Sequence, residues 1–346
     1  SFKVSNMGES TRTRAEGDEP NDDANHPDEA AIEAENFINT SDIALMFFDD
    51  RKTLWKVFQP GEYVIESTGN AAEYNLKFKM NKDYFSYAKG KEQVDYSLMI
   101  VANIKGLKGE NGIFDDNLFA YTPQRIGSEY KFFSMPDQST NAWMPSIELK
   151  DLIPMAGIAK GSFASSILEQ GNTWETAAEI GDVYMQRCLA KIRVLDAIPL
   201  QEDAALEGGR TAQITEVKLV GANTKGAYIP YFTNTDWYNG TNVVESATEQ
   251  SDWFDGDAKV TLLNTEEAYP SVVDKKEYPN QFYCYVPESL VSGRNTKLQI
   301  TVDFGAEKRT FDVHLANPYG SSYNGISNIA RNHIYEYIVN ATMASL

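Results

Sequence analysis

From Ile43 onward, apolar and polar side chains alternate with a period of two. Tyr74, Leu76, Phe78 and Met80 are interleaved with Glu73, Asn75, Lys77 and Lys79. That places four apolar side chains on one face of a strand and predicts a sheet half buried on a core. The pattern recurs late in the chain, where Leu298, Ile300, Val302 and Phe304 alternate with Lys297, Gln299, Thr301 and Asp303. After Gly305-Ala306-Glu307 it resumes as Phe311, Val313 and Leu315, which predicts a β-hairpin. Further strands are expected over 43–48, 62–66, 95–103, 188–195, 213–220, 259–263, 281–286 and 333–343. Turn clusters such as Pro60-Gly61, Gly109-Glu110-Asn111-Gly112 and Tyr238-Asn239-Gly240 separate them. Helical turns are expected near 29–37, 115–121 and 162–169, without the regular strand–helix alternation that a parallel α/β sheet requires. The fold class is therefore all-β, and short strands with frequent turns point to β-sandwiches.

Ahead of this body the pattern changes. Phe2 and Val4 alternate with polar neighbours up to Met7, like a short isolated strand. Residues 9–35 then carry ten Asp or Glu against two basic residues, Arg12 and Arg14, with Pro20 and Pro27 interrupting any helix. Such a stretch is a solvated leader. At 346 residues the chain is too long for one ordinary core. Three segments are expected: an N-terminal strand plus acidic leader (1–35), an N-terminal β-sandwich (36–186) and a C-terminal β-sandwich (187–346). The boundary is set just before Cys188, because 171–187 has no strong periodicity and a new strand follows.

Composition narrows the chemistry. A formal charge of −19 repels phosphate backbones and anionic lipid surfaces, so nucleic acid is not an expected partner. No apolar run is long enough to be a membrane-spanning helix. His26, His314 and His333 are scattered without ligand spacing, and the acidic clusters at Asp18, Glu19, Asp22, Asp23 and at Asp49, Asp50 lack the spacing of a calcium loop. No metal and no cofactor are expected. No Gly-x-Ser-x-Gly, His-Glu-x-x-His or phosphate-loop pattern occurs, so catalysis is not expected either. Of the two cysteines, Cys188 shares a strand face with Ala190, Ile192 and Val194, and Cys284 shares one with Phe282 and Val286, so both are expected to point into the second core. A disulfide is one reading if their strands are adjacent. Two small buried hydrophobes is the other, and the favoured one.

Four motifs, in order, resemble the fimbrillin superfamily of Bacteroidetes cell-surface proteins: Leu98-Met99-Ile100-Val101-Ala102-Asn103, Ile153-Pro154-Met155-Ala156-Gly157, Arg187-Cys188-Leu189-Ala190-Lys191-Ile192, and Arg331-Asn332-His333-Ile334-Tyr335. The resemblance implies two tandem transthyretin-like β-sandwich domains with a few short helical turns. It also implies export to the cell surface and outer membrane as part of a fimbrium, with membrane attachment only through an N-terminal lipid whose cysteine is absent from this chain. Partners would be other pilus subunits, joined by exchange of an N-terminal strand after an Arg-specific protease removes the resident one. On this sequence the exchangeable strand maps to Phe2, Val4 and Met7. The processing bond maps to Arg14-Ala15, with Arg12 as the alternative; no Lys or Arg follows until Arg51. Pilins of this type carry a long appendage after their final Arg-Asn-aromatic strand, whereas this chain ends at Leu346. That favours a tip or accessory subunit over a stalk subunit.

The competing expectation is a surface module that binds a glycan or host protein. Trp143, Trp174, Trp237, Tyr238 and Trp253 are its candidate aromatics. Most aromatics in a β-rich chain pack a core. Trp237 and Tyr238 beside Asn239-Gly240, and Trp253 close to Asp255-Gly256, sit in turn-like sequence and are the favoured ligand loops.

Overall fold

The computed structural model describes residues 2–6, 33–48, 54–58, 61–68, 73–80, 85, 89–104, 107, 132–169, 173–201, 211–227, 254–265, 269–271, 276–288, 296–314, 329, 331–332 and 334–340. Among them the regular structure is β-strand, apart from one helical turn, α1 (Glu33–Asn36), and two 3-10 turns at Ser165–Glu169 and Ile198–Leu200. The all-β class expected from the period of two is what forms. No described helix is long and apolar enough to cross a membrane.

The first sheet runs β3 (Leu54–Phe58), β2 (Ile43–Phe48), β6 (Gln93–Ala102), β8 (Met155–Ala164), β9 (Gly181–Arg187), β1 (Phe2–Asn6), β5 (Glu73–Phe78), β4 (Tyr63–Ser67). Its two halves are joined at β8 and β9 through Met155↔Arg187 and Ala156↔Gln186 alone. The halves fold over one core. Leu45, Phe47, Leu98 and Ile100 come from one half, and Leu76, Val183 and Met185 from the other. Phe58 meets Phe78 at 4.9 Å between ring centroids, which brings β3 back against β5.

The second body is two four-stranded sheets. One runs β14 (Leu263–Thr265), β17 (Gln281–Pro287), β10 (Leu189–Asp196), β20 (Ile334–Val339). The other runs β13 (Phe254–Thr261), β11 (Gln213–Asn223), β18 (Lys297–Asp303), β19 (Lys308–His314). Ile192, Val194, Cys284 and Val286 of the first pack with Val217, Leu219, Leu298 and Ile300 of the second in one buried cluster. A third cluster lies where the two bodies meet and draws Met46, Met99 and Phe133 together with Cys188, Leu189 and Tyr285. Beside it, β7 (Phe132–Ser134) pairs with β12 (Lys225–Ala227). A two-residue ladder joins β15 (Tyr269–Pro270) to β16 (Glu277–Tyr278).

Several expectations need correction. The stretch 171–187, read as having no strong periodicity and given no strand, contains β9; only Val183 and Met185 supply its inward alternation, too short a signal to read. The helical turn expected over 162–169 is strand as far as Ala164 and 3-10 only from Ser165. The small residues Gly157, Ala159 and Gly161 leave β8 without a readable period. Gly161 is small for a reason: a Cβ there would lie 3.0 Å from the Tyr96 hydroxyl. The late hairpin forms as Leu298↔Val313 and Ile300↔Phe311. Leu298 and Ile300 are fully buried, but Phe311 and Val313 remain 38% and 36% exposed, because β19 is an edge strand.

Cys188 also departs from expectation. It sits at a bend between β9 and β10 and packs in the junction cluster, while Ala190, Ile192 and Val194 point into the second core. Both cysteines are buried thiols, not joined in a disulfide. Ile192 pairs with Cys284, and Cys188 lies four residues before Ile192, just ahead of β10. At about 3.3 Å per residue that is roughly 13 Å, well beyond the roughly 7 Å limit for a disulfide. Burial pushes the Cys188 thiol up to about 12 and the Cys284 thiol up as well.

Candidate functional site

The N-terminal strand does not lie at an edge. β1 is inserted between β5 and β9, antiparallel to the first (Phe2↔Leu76 to Ser5↔Glu73) and parallel to the second (Phe2↔Gly181 to Asn6↔Met185). Both of its hydrogen-bonding edges are therefore engaged, and the strand fills a slot. The slot has an apolar wall: Leu76 of β5 and Val183 and Met185 of β9 are buried at 1% exposure or less.

One end of the slot is fixed by Tyr96. Its hydroxyl donates to the Ile180 carbonyl at 2.7 Å, immediately ahead of β9. Its ring stacks on Phe47 at 5.9 Å and crosses both Gly161 and Gly181. Gly181 has φ +147°, a conformation that side-chain-bearing residues rarely adopt. Burial holds the Tyr96 hydroxyl up at about 12. Beyond this point the first core opens into a cavity of about 330 Å³. Its depth is made by Phe47, Phe85 and Phe163, whose rings meet edge to face at 5.2 and 5.5 Å. Phe78, Met80 and Ile180 line it from the slot side. Trp174 stands at the rim with the Lys79 ammonium 4.4 Å over its ring.

A second constellation surrounds α1. In α1, Glu35 is 6% exposed; it accepts from Lys191 Nζ at 2.9 Å and from the Tyr285 hydroxyl. Arg187 donates to the Glu35 carbonyl at 3.0 Å, to Asn332 Oδ1 at 2.9 Å and to Asn36 Oδ1. Nearby, buried Arg331 pairs with Glu288. Asn103, fully buried at φ +60°, donates to the carbonyls of Phe37 (2.7 Å) and Ile153 (2.9 Å) and accepts from Asn39 N. Asparagine tolerates that left-handed conformation better than most residues. The four motifs of the resemblance thus meet in pairs, Asn103 with Ile153 and Arg187 with Asn332. Their polar members tie α1 and the segment after it to both bodies.

Of the residues singled out in the sequence, Phe2 and Val4 lie in the slot strand, opposite Leu76 and Tyr74. Met7, Arg12, Arg14, Ala15, Trp237, Tyr238 and Trp253 lie outside the described residues. Trp143 packs edge to face on Tyr285 in the junction, so it is a packing residue. The rim position of Trp174 and the roles of Phe85, Tyr96 and Glu35 had no periodic signal. Lys191 and Arg193 did have one, as two cations inside a strand that is buried along its whole length.

No protein-family model and no curated protein matches the chain. Among solved structures it is similar to a fimbrial assembly protein from Parabacteroides distasonis, at 15% identity over 90% of this chain and 86% of that one, with a TM-score of 0.43. A second protein from the same organism, assigned to cell adhesion, aligns at 12% identity over 99% and 91%, TM-score 0.44. A Bacteroides thetaiotaomicron protein assigned to polysaccharide binding aligns at 12% over 88% and 84%, TM-score 0.39. At TM-scores below 0.5 these likenesses assign no role to any residue of the slot. The solved structures to which the chain is similar thus include fimbrial-assembly, cell-adhesion and polysaccharide-binding proteins.

Proposed function

We propose that the chain is a non-enzymatic cell-surface adhesion or pilus subunit, exported to the outer membrane. In this proposal it joins its neighbours by exchange of β1 and takes a tip or accessory place in the fimbrium. The supporting observation is the placement of β1, a five-residue N-terminal strand filling an interior slot and connected to α1 through the acidic residues 7–32. Removing it would leave two rows of unpaired backbone groups, on β5 and β9, above the apolar wall of Leu76, Val183 and Met185. An incoming strand would satisfy both.

The proposed processing bond, Arg14-Ala15 with Arg12 as the alternative, lies between β1 and α1. Cutting there would release β1 covalently while Glu35, Arg187 and Lys191 keep α1 on the body. Leader (1–35), first sandwich (36–186) and second sandwich (187–346) are the proposed units, with α1 the point at which leader becomes body. Brief treatment with an Arg-specific protease, followed by intact mass, should remove a fragment ending at Arg14 and leave a folded remainder that takes up a peptide of the β1 sequence. Cuts spread along the whole chain, or a nicked protein that ignores the peptide, would sink the proposal.

A further inference from the structure

The cavity and the slot are continuous in register. Because Phe2 stands opposite Leu76, the place two residues ahead of Phe2 stands opposite Phe78, and the place four ahead stands opposite Met80. On the parallel side the same steps lead from Gly181 to Glu179 and then Ala177. Phe78, Met80 and Ala177 all line the cavity. With the two-residue period of a strand, those places face the same side as Leu76, which is the core side. A strand that continues ahead of β1 thus directs its inward side chain at the cavity mouth.

We propose that this cavity is the anchor pocket for one large apolar side chain of a neighbouring chain's strand, two positions ahead of the residue that takes the place of Phe2. The proposal rests on the strand-exchange function above and names the chemistry of the partner. The lining fixes that chemistry: Phe47, Phe85 and Phe163 in depth offer edge and face contacts to an aromatic or branched aliphatic group. Size agrees. At about 330 Å³ the cavity is at the small end of the roughly 300–1,000 Å³ typical of ligand pockets, so it suits one or two side chains better than an oligosaccharide. The pocket sets register as well, since a one-residue slip turns the anchoring side chain to the opposite face.

The test has two arms. In the first, the full chain carries one added residue directly ahead of Ser1: tryptophan, glycine or aspartate. The tryptophan version should melt about 3 °C or more above the glycine version, and the gain should vanish when Ala177→Trp fills the cavity. Equal melting of all three versions within about 1 °C overturns the pocket. Trp174→Ala, at the rim and half-buried, serves as a second variant if Ala177→Trp fails to fold; it should reduce the gain. In the second arm, the chain nicked at Arg14, with both pieces retained, meets labelled peptides of residues 1–6 preceded by tryptophan or glycine. Tenfold tighter uptake of the tryptophan peptide supports the proposal, and equal uptake overturns it. Uptake of neither peptide overturns strand exchange itself, while the melting arm still decides whether the register leads into the cavity.

Discussion

Strands β1 and β20 lie near opposite ends of the sequence, and each pairs in parallel with one half of a single stretch of chain, β9 for the first and β10 for the second. They are secured differently. β1 sits in the interior of its sheet with a partner on each side. β20 sits at an edge with β10 as its ladder partner. Side chains compensate at the edge. Tyr335 is buried in the second core, and Glu336, paired across the ladder with Arg193, forms with it an ion pair buried to 2% and 3% exposure. Ser271 donates to the other Glu336 oxygen at 2.6 Å. A charge buried this deeply fixes its strand to one partner, because a replacement strand would need a carboxylate at the same register. A slot defined by a ladder and an apolar wall makes no such demand.

The contrast can be broken from the β20 side first. Glu336→Ala leaves the Arg193 guanidinium buried without its carboxylate, which should cost about 3–5 kcal/mol in denaturant unfolding. Replacing both partners with apolar residues, Arg193→Met with Glu336→Leu, should restore most of it. A single-variant loss below about 1 kcal/mol would mean that the edge strand does not depend on its charge. The converse experiment fastens β1. Lys3 and Asn75 stand directly opposite in the antiparallel ladder, where Cα atoms lie about 4.5–5.5 Å apart, within disulfide reach. Lys3→Cys with Asn75→Cys, oxidised, should add about 2–4 kcal/mol and abolish uptake of a β1 peptide until a reductant is added. Uptake unchanged by the crosslink would show that the peptide binds elsewhere.

The smallest expected effect concerns the end of the slot. Tyr96→Phe removes the donor to the Ile180 carbonyl and should cost about 1–2 kcal/mol. It also carries a pH signature. The folded Tyr96 hydroxyl is held at about 12, above its ordinary 10.0. Its neutral form is the one favoured by folding, so its contribution is fully present below pH 10 and is lost as the pH rises toward about 12. The stability gap between the native chain and Tyr96→Phe should narrow across that window, as followed by denaturant midpoints. A constant gap would argue that the hydroxyl is not buried in solution.

Much of this architecture was legible from periodicity, because half-buried strands such as β5 and β18 show their inward face in every second residue. β8 and β9 were not, for opposite reasons. In β8 the positions between Met155 and Phe163 that alternate inward are glycine and alanine, Gly161 among them against Tyr96, and in β9 the signal was two residues long. The slot was half legible. The alternation at Phe2 and Val4 marked a strand, but local pattern holds nothing about a strand's neighbours, and the interior position arises from pairing with residues some seventy and one hundred and eighty places away. The cavity was illegible because its lining comes from strand ends and loops. The motif residues Asn103, Arg187 and Asn332 were visible as a resemblance. Their role as a buried polar tie appears only when α1 is seen between them.

The bend at Cys188 has a mechanical consequence. β9 and β10 follow one another with a single residue between them, so the stretch from Gly181 to Asp196 is a nearly unbroken cable of backbone through both bodies. The strand in the slot lies alongside one end of that cable and β20 alongside the other, both in the same direction as the cable. Tension applied along the occupant of the slot would therefore act as shear, shared by all the rungs of its ladder at once instead of peeling them singly, and would pass along covalent bonds into the second body.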